Sequence, residues 1–234
     1  MKALSIRQPI AYLAGCLLGD AWLATGTRRA PSGYLCLRVA DQDFADAFAA
    51  AITAGFSVPA KVNVDERGFY LVRKSNGGRR FDVLRGFEPL TNDARAAWLR
   101  GFFDSEGNVV CAPKPAAGPR SWDRRVSMFS TNQDTLWRAR RALSALNIEA
   151  KGPVEWKGGA GRYGSKQVFA VVLISSWENY VRFGDAVGSS IGRKAAALAT
   201  LPGTYQDDLK ACAREAQQKG VQVRLARKAA GGRY

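Results

Sequence analysis

Residues 12–21 and 98–107 are two copies of one device, and their spacing constrains the whole chain. Aligned without a gap, Leu13 meets Leu99, Gly15 meets Gly101, Gly19 meets Ser105 and Asp20 meets Glu106. Each copy is an apolar helical run with small residues four apart that ends in an acid. Side chains four apart share one helix face, so the small residues leave a groove and two such helices can approach with their backbones nearly touching. If the copies pack on each other, Asp20 and Glu106 lie side by side. Two adjacent carboxylates repel unless a cation sits between them.

Charge narrows what such a pair is for. The 234 residues carry 35 Lys and Arg against 20 Asp and Glu, a net charge of +15, and 47% of the chain is hydrophobic. A chain able to bury a core and still this basic most often neutralises a polyanion, with nucleic acid the commonest. There is no histidine. That excludes Ser-His-Asp and Cys-His catalysis, His-ligated zinc and any histidine general base, and leaves hydrolysis to carboxylates, lysines and metal-bound water. Cys16, Cys36, Cys111 and Cys212 are far apart with no C-x-x-C pair, so free thiols are expected rather than a zinc cluster or a disulfide framework. The apolar run from Ile10 to Ala24 is short for a bilayer and contains Asp20, and Met1 to Pro9 does not read as a signal peptide. The expectation is a soluble intracellular protein, cytoplasmic or associated with an organelle or nucleoid, with no membrane partner.

The duplication extends beyond the motifs. After the first come β-like runs at Trp22 to Arg29 and Tyr34 to Val39, then Asp41-Gln42-Asp43 opening an alanine-rich helix that ends near Gly55. After the second come Asn108 to Lys114 and Arg124 to Ser130, then Asn132-Gln133-Asp134 opening a helix that ends near Asn147. Asx residues suit both starts, and Gly or Asn suits a left-handed end. Two more strands and a helix follow in each half: Ala60 to Asp65, Phe69 to Lys74 and a short helix around Phe81 to Phe87, then Val154 to Lys157, Lys166 to Ile174 and Ser176 to Val187. The pattern predicts an α+β protein of two pseudo-symmetric αββαββα halves, at residues 1–88 and 94–203, joined by a linker at 89–93. Each half offers a four-stranded antiparallel sheet shaped as a saddle. Ser189 to Leu201 is expected to be one more helix, and residues 204–234 a basic tail that is either helical or partly disordered.

At these motifs the chain resembles the LAGLIDADG homing endonucleases, in the form where one chain carries both copies, over about residues 8–200. The resemblance implies motif helices at the interface of two halves, with terminal acids that bind divalent metal at a DNA cleavage centre. Position by position these are Asp20 and Glu106, with the backbone carbonyls of Ala21 and Gly107 as further metal ligands. The position two before the final acid is often acidic in the family; here it is Leu18 in the first copy and Asp104 in the second, and Ala21 replaces the usual Gly. The resemblance also places basic groups near the centre, for which Arg73 and Lys74 in the first half and Arg193 and Lys194 in the second are the candidates. Asn132 falls where the family often has a water-positioning side chain, with Asp41 as its counterpart.

The expected cofactor is Mg²⁺, with Mn²⁺ or Ca²⁺ able to substitute for binding. The expected partner is double-stranded DNA, contacted by Arg28, Arg29, Arg38, Lys61, Arg73, Lys74, Lys114, Arg124, Arg125, Lys157, Arg162 and Lys166 on the strand segments. The leading expectation is a monomeric site-specific endonuclease of a mobile intron or intein. It would cut both strands of a long asymmetric target across the minor groove and leave short 3′ overhangs. The alternative is a non-cutting binder on the same scaffold, either an intron-RNA maturase or a DNA-binding regulator, and a weaker third is a basic structural protein.

Overall fold

The computed structural model describes residues 7–24, 33–113, 122–155, 169–173, 176–204 and 222. The first half runs α1 (Arg7–Cys16), β1 (Ala21–Ala24), β2 (Tyr34–Val39), α2 (Gln42–Phe56), β3 (Val62–Val64) and β4 (Tyr70–Ser75), then short 3₁₀ turns at Gly77–Arg79 and Asp82–Leu84. The second half runs α3 (Asn92–Glu106), β5 (Gly107–Pro113), β6 (Trp122–Ser130), α4 (Gln133–Ala145), β7 (Ala150–Glu155), β8 (Phe169–Leu173) and α5 (Trp177–Ala186). A sixth helix, α6, follows at residues 192–204. The strands form two antiparallel sheets of four, ordered β1-β2-β4-β3 and β5-β6-β8-β7. The fold class is α+β, as the duplicated pattern predicts.

Local chemistry sets the element ends. The Thr91 side chain accepts from the Ala94 amide at 3.2 Å and starts α3. The Asn132 carbonyl accepts from Asp134 and Thr135 at 3.0 and 3.3 Å and starts α4. Ser176 does the same for α5 through the Asn179 amide. Each cap satisfies amides that a helix start leaves without a partner.

Three expectations change. The left-handed residue after α2 is Ser57, with φ 53° and ψ 34°, and not Gly55. Gly55 instead lies under Ile10, whose Cγ1 an added Cβ would meet at 3.1 Å. The helix expected around Phe81 to Phe87 is only the two 3₁₀ turns. Asn76 holds them by accepting from the Phe81 amide and donating to Asp82, while Gly86 turns the chain away at φ 69°. The first motif helix also stops early: α1 ends at Cys16, whereas α3 continues to Glu106. Residues 25–32, 114–121 and the segment after 204, apart from 222, lie outside the described residues, and so do the expectations that fall on them.

One hydrophobic core runs through both halves, and α1 and α3 cross at its centre. Trp98, Phe102 and Phe103 of α3 and Leu13 of α1 are fully buried there, with Phe44, Phe48 and Phe183 packed in from α2 and α5. The crossing is glycine against glycine. A Cβ on Gly15 would sit 2.1 Å from the Trp98 carbonyl oxygen, and one on Gly101 would sit 2.1 Å from the Tyr12 carbonyl oxygen. Both obstacles are backbone, so neither can swing aside. Gly15→Ala or Gly101→Ala should therefore push the helices apart and cost about 2 kcal/mol or more in urea unfolding. Gly184→Ala, whose Cβ would enter open space within α5, should change stability by less than about 1 kcal/mol and in the stabilising direction.

Candidate functional site

The crossing helices deliver their last residues to the floor of one open cavity of about 1030 Å³. On the first side, α1 tightens into i→i+3 turns as Leu18 and Gly19 donate to Gly15 and Cys16 at 3.1 and 3.2 Å, and Asp20 follows. On the second side α3 ends at Glu106, and the amide of Gly107 closes the helix on the Phe103 carbonyl. A Cβ on Gly107 would lie 2.1 Å from the Phe103 ring, so glycine is required at this turn. Gly19 has the same standing across the joint: its added Cβ would lie 2.6 Å from Cγ of Glu106 and 2.8 Å from Oε1. The Glu106 side chain therefore lies across Gly19, directly beside Asp20.

Burial and proximity perturb both acids. Desolvation pushes the Asp20 carboxyl above its usual range and Asp41 adds to the push, while Lys194 opposes it. Glu106 is raised by desolvation first and by Asp20 second, again with Lys194 in opposition. Carboxylates at a helix C-terminus also face the negative end of the dipole. The arrangement is therefore a held repulsion, which a cation relieves.

The cations reach this floor from α6, a helix that follows the second half and crosses back to the first. Its amide at Gly192 donates to Asp43, and Arg193 forms a two-pronged bond with Asp41 at 2.9 and 2.9 Å, both acids at the start of α2. This pair holds the Asp41 carboxyl below its usual range. One turn in, Lys194 is 6% exposed and donates to the Phe103 and Asp104 carbonyls at 2.9 and 2.7 Å, capping the end of α3. Burial lowers its pKa to about 8, against the opposing pull of Asp104. Asp104, 1% exposed, ties the segment before α6 to the crossing helices. It accepts from the Ser189 hydroxyl at 2.6 Å, the Ser190 amide at 3.1 Å and the Tyr12 hydroxyl at 3.0 Å.

Several candidates stand elsewhere. Lys74 is not at the centre: it lies at the far end of β4, opposite Leu35, and donates to the Pro59 carbonyl at 2.7 Å on the helix side of the sheet. Alternation along β4 places Arg73 and Lys74 on opposite faces, so they cannot both contact one ligand. Asn132 engages its carboxamide oxygen as the α4 cap, with Ser130 and Thr131 lining the cavity beside it. Of the two proposed carbonyl ligands, Gly107 lines the cavity, whereas Ala21 starts β1 opposite Leu37 and is buried.

The strand cations divide in the same way. Arg124 turns toward the helices and donates to Thr204 Oγ1 and O at 2.9 and 2.8 Å, closing the end of α6, so its expected DNA contact is replaced by a structural one. Arg125 faces the opposite side and pairs with Asp123 at 3.0 Å. Arg38 lines the cavity, paired with Asp65 at 2.6 Å and stacked over Phe69 at 4.4 Å. Arg73 and Lys61 are exposed. Arg28, Arg29, Lys114, Lys157, Arg162 and Lys166 lie outside the described residues.

The donor set fits a hard divalent cation. Among the described residues no group of three or more Asp, Glu, Cys or His gathers into a closed cage. Mg²⁺ usually needs none, since one or two carboxylates, water and substrate phosphate complete its shell. Asp20 and Glu106 supply two carboxylates, and the open cavity supplies the room.

Lys194 has a measurable signature. Its proton is held less tightly folded than unfolded, so its contribution to stability rises with pH from about 8 to about 10.5. The difference in unfolding free energy between wild type and Lys194→Met should therefore move in favour of wild type across that window. Subtracting the variant removes the opposing titration of Tyr12 and Cys16, whose raised values remain in both proteins.

Comparison with known proteins agrees with this architecture. The LAGLIDADG-like domain family matches residues 93–188 in sequence. No curated protein matches the chain. Mesophilic variants of the homing endonuclease I-DmoI superpose with a TM-score of 0.58 at 17% identity, covering 84% of this chain and 99% of that one. I-DmoI in complex with DNA and Ca superposes with a TM-score of 0.58 at 16% identity and the same coverage. Full-length DUF199/WhiA from Thermatoga maritima gives 0.57 at 15% identity, covering 93% of this chain and 68% of that one. Both halves of the chain thus share the two-motif LAGLIDADG fold, and residues 93–188 belong to the LAGLIDADG-like domain family.

Proposed function

We propose that the protein is a site-specific double-stranded DNA endonuclease that uses a divalent metal. The observation that carries this reading is the pair Asp20 and Glu106, pressed together at the joint of two sheet-bearing halves in a chain of net charge +15. Two neighbouring carboxylates at a pseudo-twofold axis suit two phosphodiesters on opposite strands. A divalent ion there, when bound, activates water and stabilises charge on the phosphate. I-DmoI has been crystallised with DNA and Ca or Mn, and with its target DNA in the presence of Mg, which supports the metal class.

The protein's own groups have separable tasks. Asp20 and Glu106 supply oxygen ligands. Lys194 places a positive charge beside them, fixed by two carbonyls. Arg193 and Arg38 line the same cavity on ion pairs with Asp41 and Asp65 and are placed to meet phosphate oxygens. The outer faces of the two sheets form the surface for a long asymmetric target, since the halves differ at most positions. Within this reading the chain acts as a monomer, prefers Mg²⁺, leaves short 3′ overhangs and belongs to an intron or intein.

A non-cutting nucleic-acid binder is the second reading. It is favoured by the internal engagement of Lys194 and by Leu18, which takes an apolar place at the joint where the second copy has Asp104. Incubating the purified chain with a duplex library and Mg²⁺ separates the two. Cleavage of a defined sequence supports the enzyme, while uncut duplexes alongside tight binding to intron RNA would sink it. In the cleavage assay Asp20→Asn and Glu106→Gln should each lower double-strand cutting by at least about a thousandfold. Affinity measured in Ca²⁺ should stay within about threefold, because neither change removes a cation that neutralises phosphate.

A further inference from the structure

The outer face of the first sheet carries one arginine whose surroundings differ from those of the others. Arg73 lies on β4, an inner strand, directly opposite Cys36 of β2, which in turn lies opposite Trp22 of β1. These three make one row across the face that points away from α2. Trp22 is 44% exposed and Arg73 is exposed. The diagonal neighbour Tyr34 lies beneath the guanidinium, with the Arg73 carbon 3.6 Å from the ring centroid. Among the described residues no carboxylate pairs with Arg73, whereas Arg38 holds Asp65, Arg125 holds Asp123 and Arg193 holds Asp41.

We infer that Arg73, held flat on Tyr34, reads a guanine edge in the major groove and sets the target sequence of the first half. This rests on the DNA-binding reading above. Stacking fixes the plane of the guanidinium and leaves its donor fork displayed outward, the geometry that meets O6 and N7 of guanine together. The position agrees. An arginine in the middle of a sheet face is offered to the floor of a groove, while phosphates line its rim. Beside it Trp22 presents the apolar surface that suits a thymine methyl group. Arg73 stands two residues from the Leu71 position that opposes Arg38, hence about 7 Å from that row along the strand. With about 3.4 Å between base pairs, the guanine lies about two base pairs farther from the cutting centre than the contact of Arg38.

Selection from a randomised duplex library in Ca²⁺, which needs no cleavage, tests the assignment. Wild type should select guanine at a position that Arg73→Ala leaves open, with discrimination falling about tenfold or more there and unchanged elsewhere. Tyr34→Leu should relax the same position, and Tyr34→Phe should preserve it. The salt dependence of binding should be the same for wild type and Arg73→Ala. If Arg73→Ala instead weakens every sequence equally and lowers the salt slope by about one, Arg73 is a phosphate contact and the inference is overturned. Sharp selection by wild type that Arg73→Ala leaves intact overturns the inference alone. A wild type that selects no sequence overturns both the inference and site-specific recognition.

Discussion

Everything at the centre of this protein depends on how closely α1 and α3 approach. The contact of Gly15 with the Trp98 carbonyl, and of Gly101 with the Tyr12 carbonyl, admits no side chain on either helix. That approach brings the helix ends within reach of each other, so Glu106 folds across Gly19 and lies beside Asp20. It also fixes where the two sheets begin, because β1 and β5 start one residue after those acids. Packing and chemistry are therefore one constraint: the separation that fills the core also sets the repulsion between the carboxylates. The aromatic side chains around the joint, Trp98, Phe102 and Phe103, bury large areas and oppose that repulsion.

The polar network around α6 adds a second layer. Asp104 gathers Tyr12, Ser189 and Ser190, and Lys194 closes the last carbonyls of α3. A buried carboxylate with this many donors costs little, whereas a bare one costs several kcal/mol. The network leaves Lys194 one fixed position next to the acids, and a fixed cation needs no rearrangement when negative charge develops nearby.

Much of this was legible in the residues. Strand order, the Asn132, Thr91 and Ser176 caps and the glycine contact follow from the repeated spacing, because local rules govern each. The return of α6 to the first half was not legible, since no local pattern links Arg193 to Asp41 across 152 residues. The cationic pairs misled for a simple reason. Lys74 beside Arg73, and Arg124 beside Arg125, read as basic clusters along the chain, yet strand alternation sends neighbours to opposite faces. Asp104 was visible as the acid two before Glu106, but its partners come from α1 and from the segment preceding α6. A sequence read piece by piece does not bring those together.

The crossing of α6 has a consequence for the origin of the chain. Two copies of residues 93–204 could meet Gly101 to Gly101, as an ancestral symmetric pair would. In such a pair the start of α6 would face Asn132 and Asp134 of the other copy in place of Asp41 and Asp43. Arg193 would then lose its carboxylate and keep at best a neutral amide. The present chain has therefore moved past the point where its second half can serve as its own partner, and the two lobes have become mutually dependent.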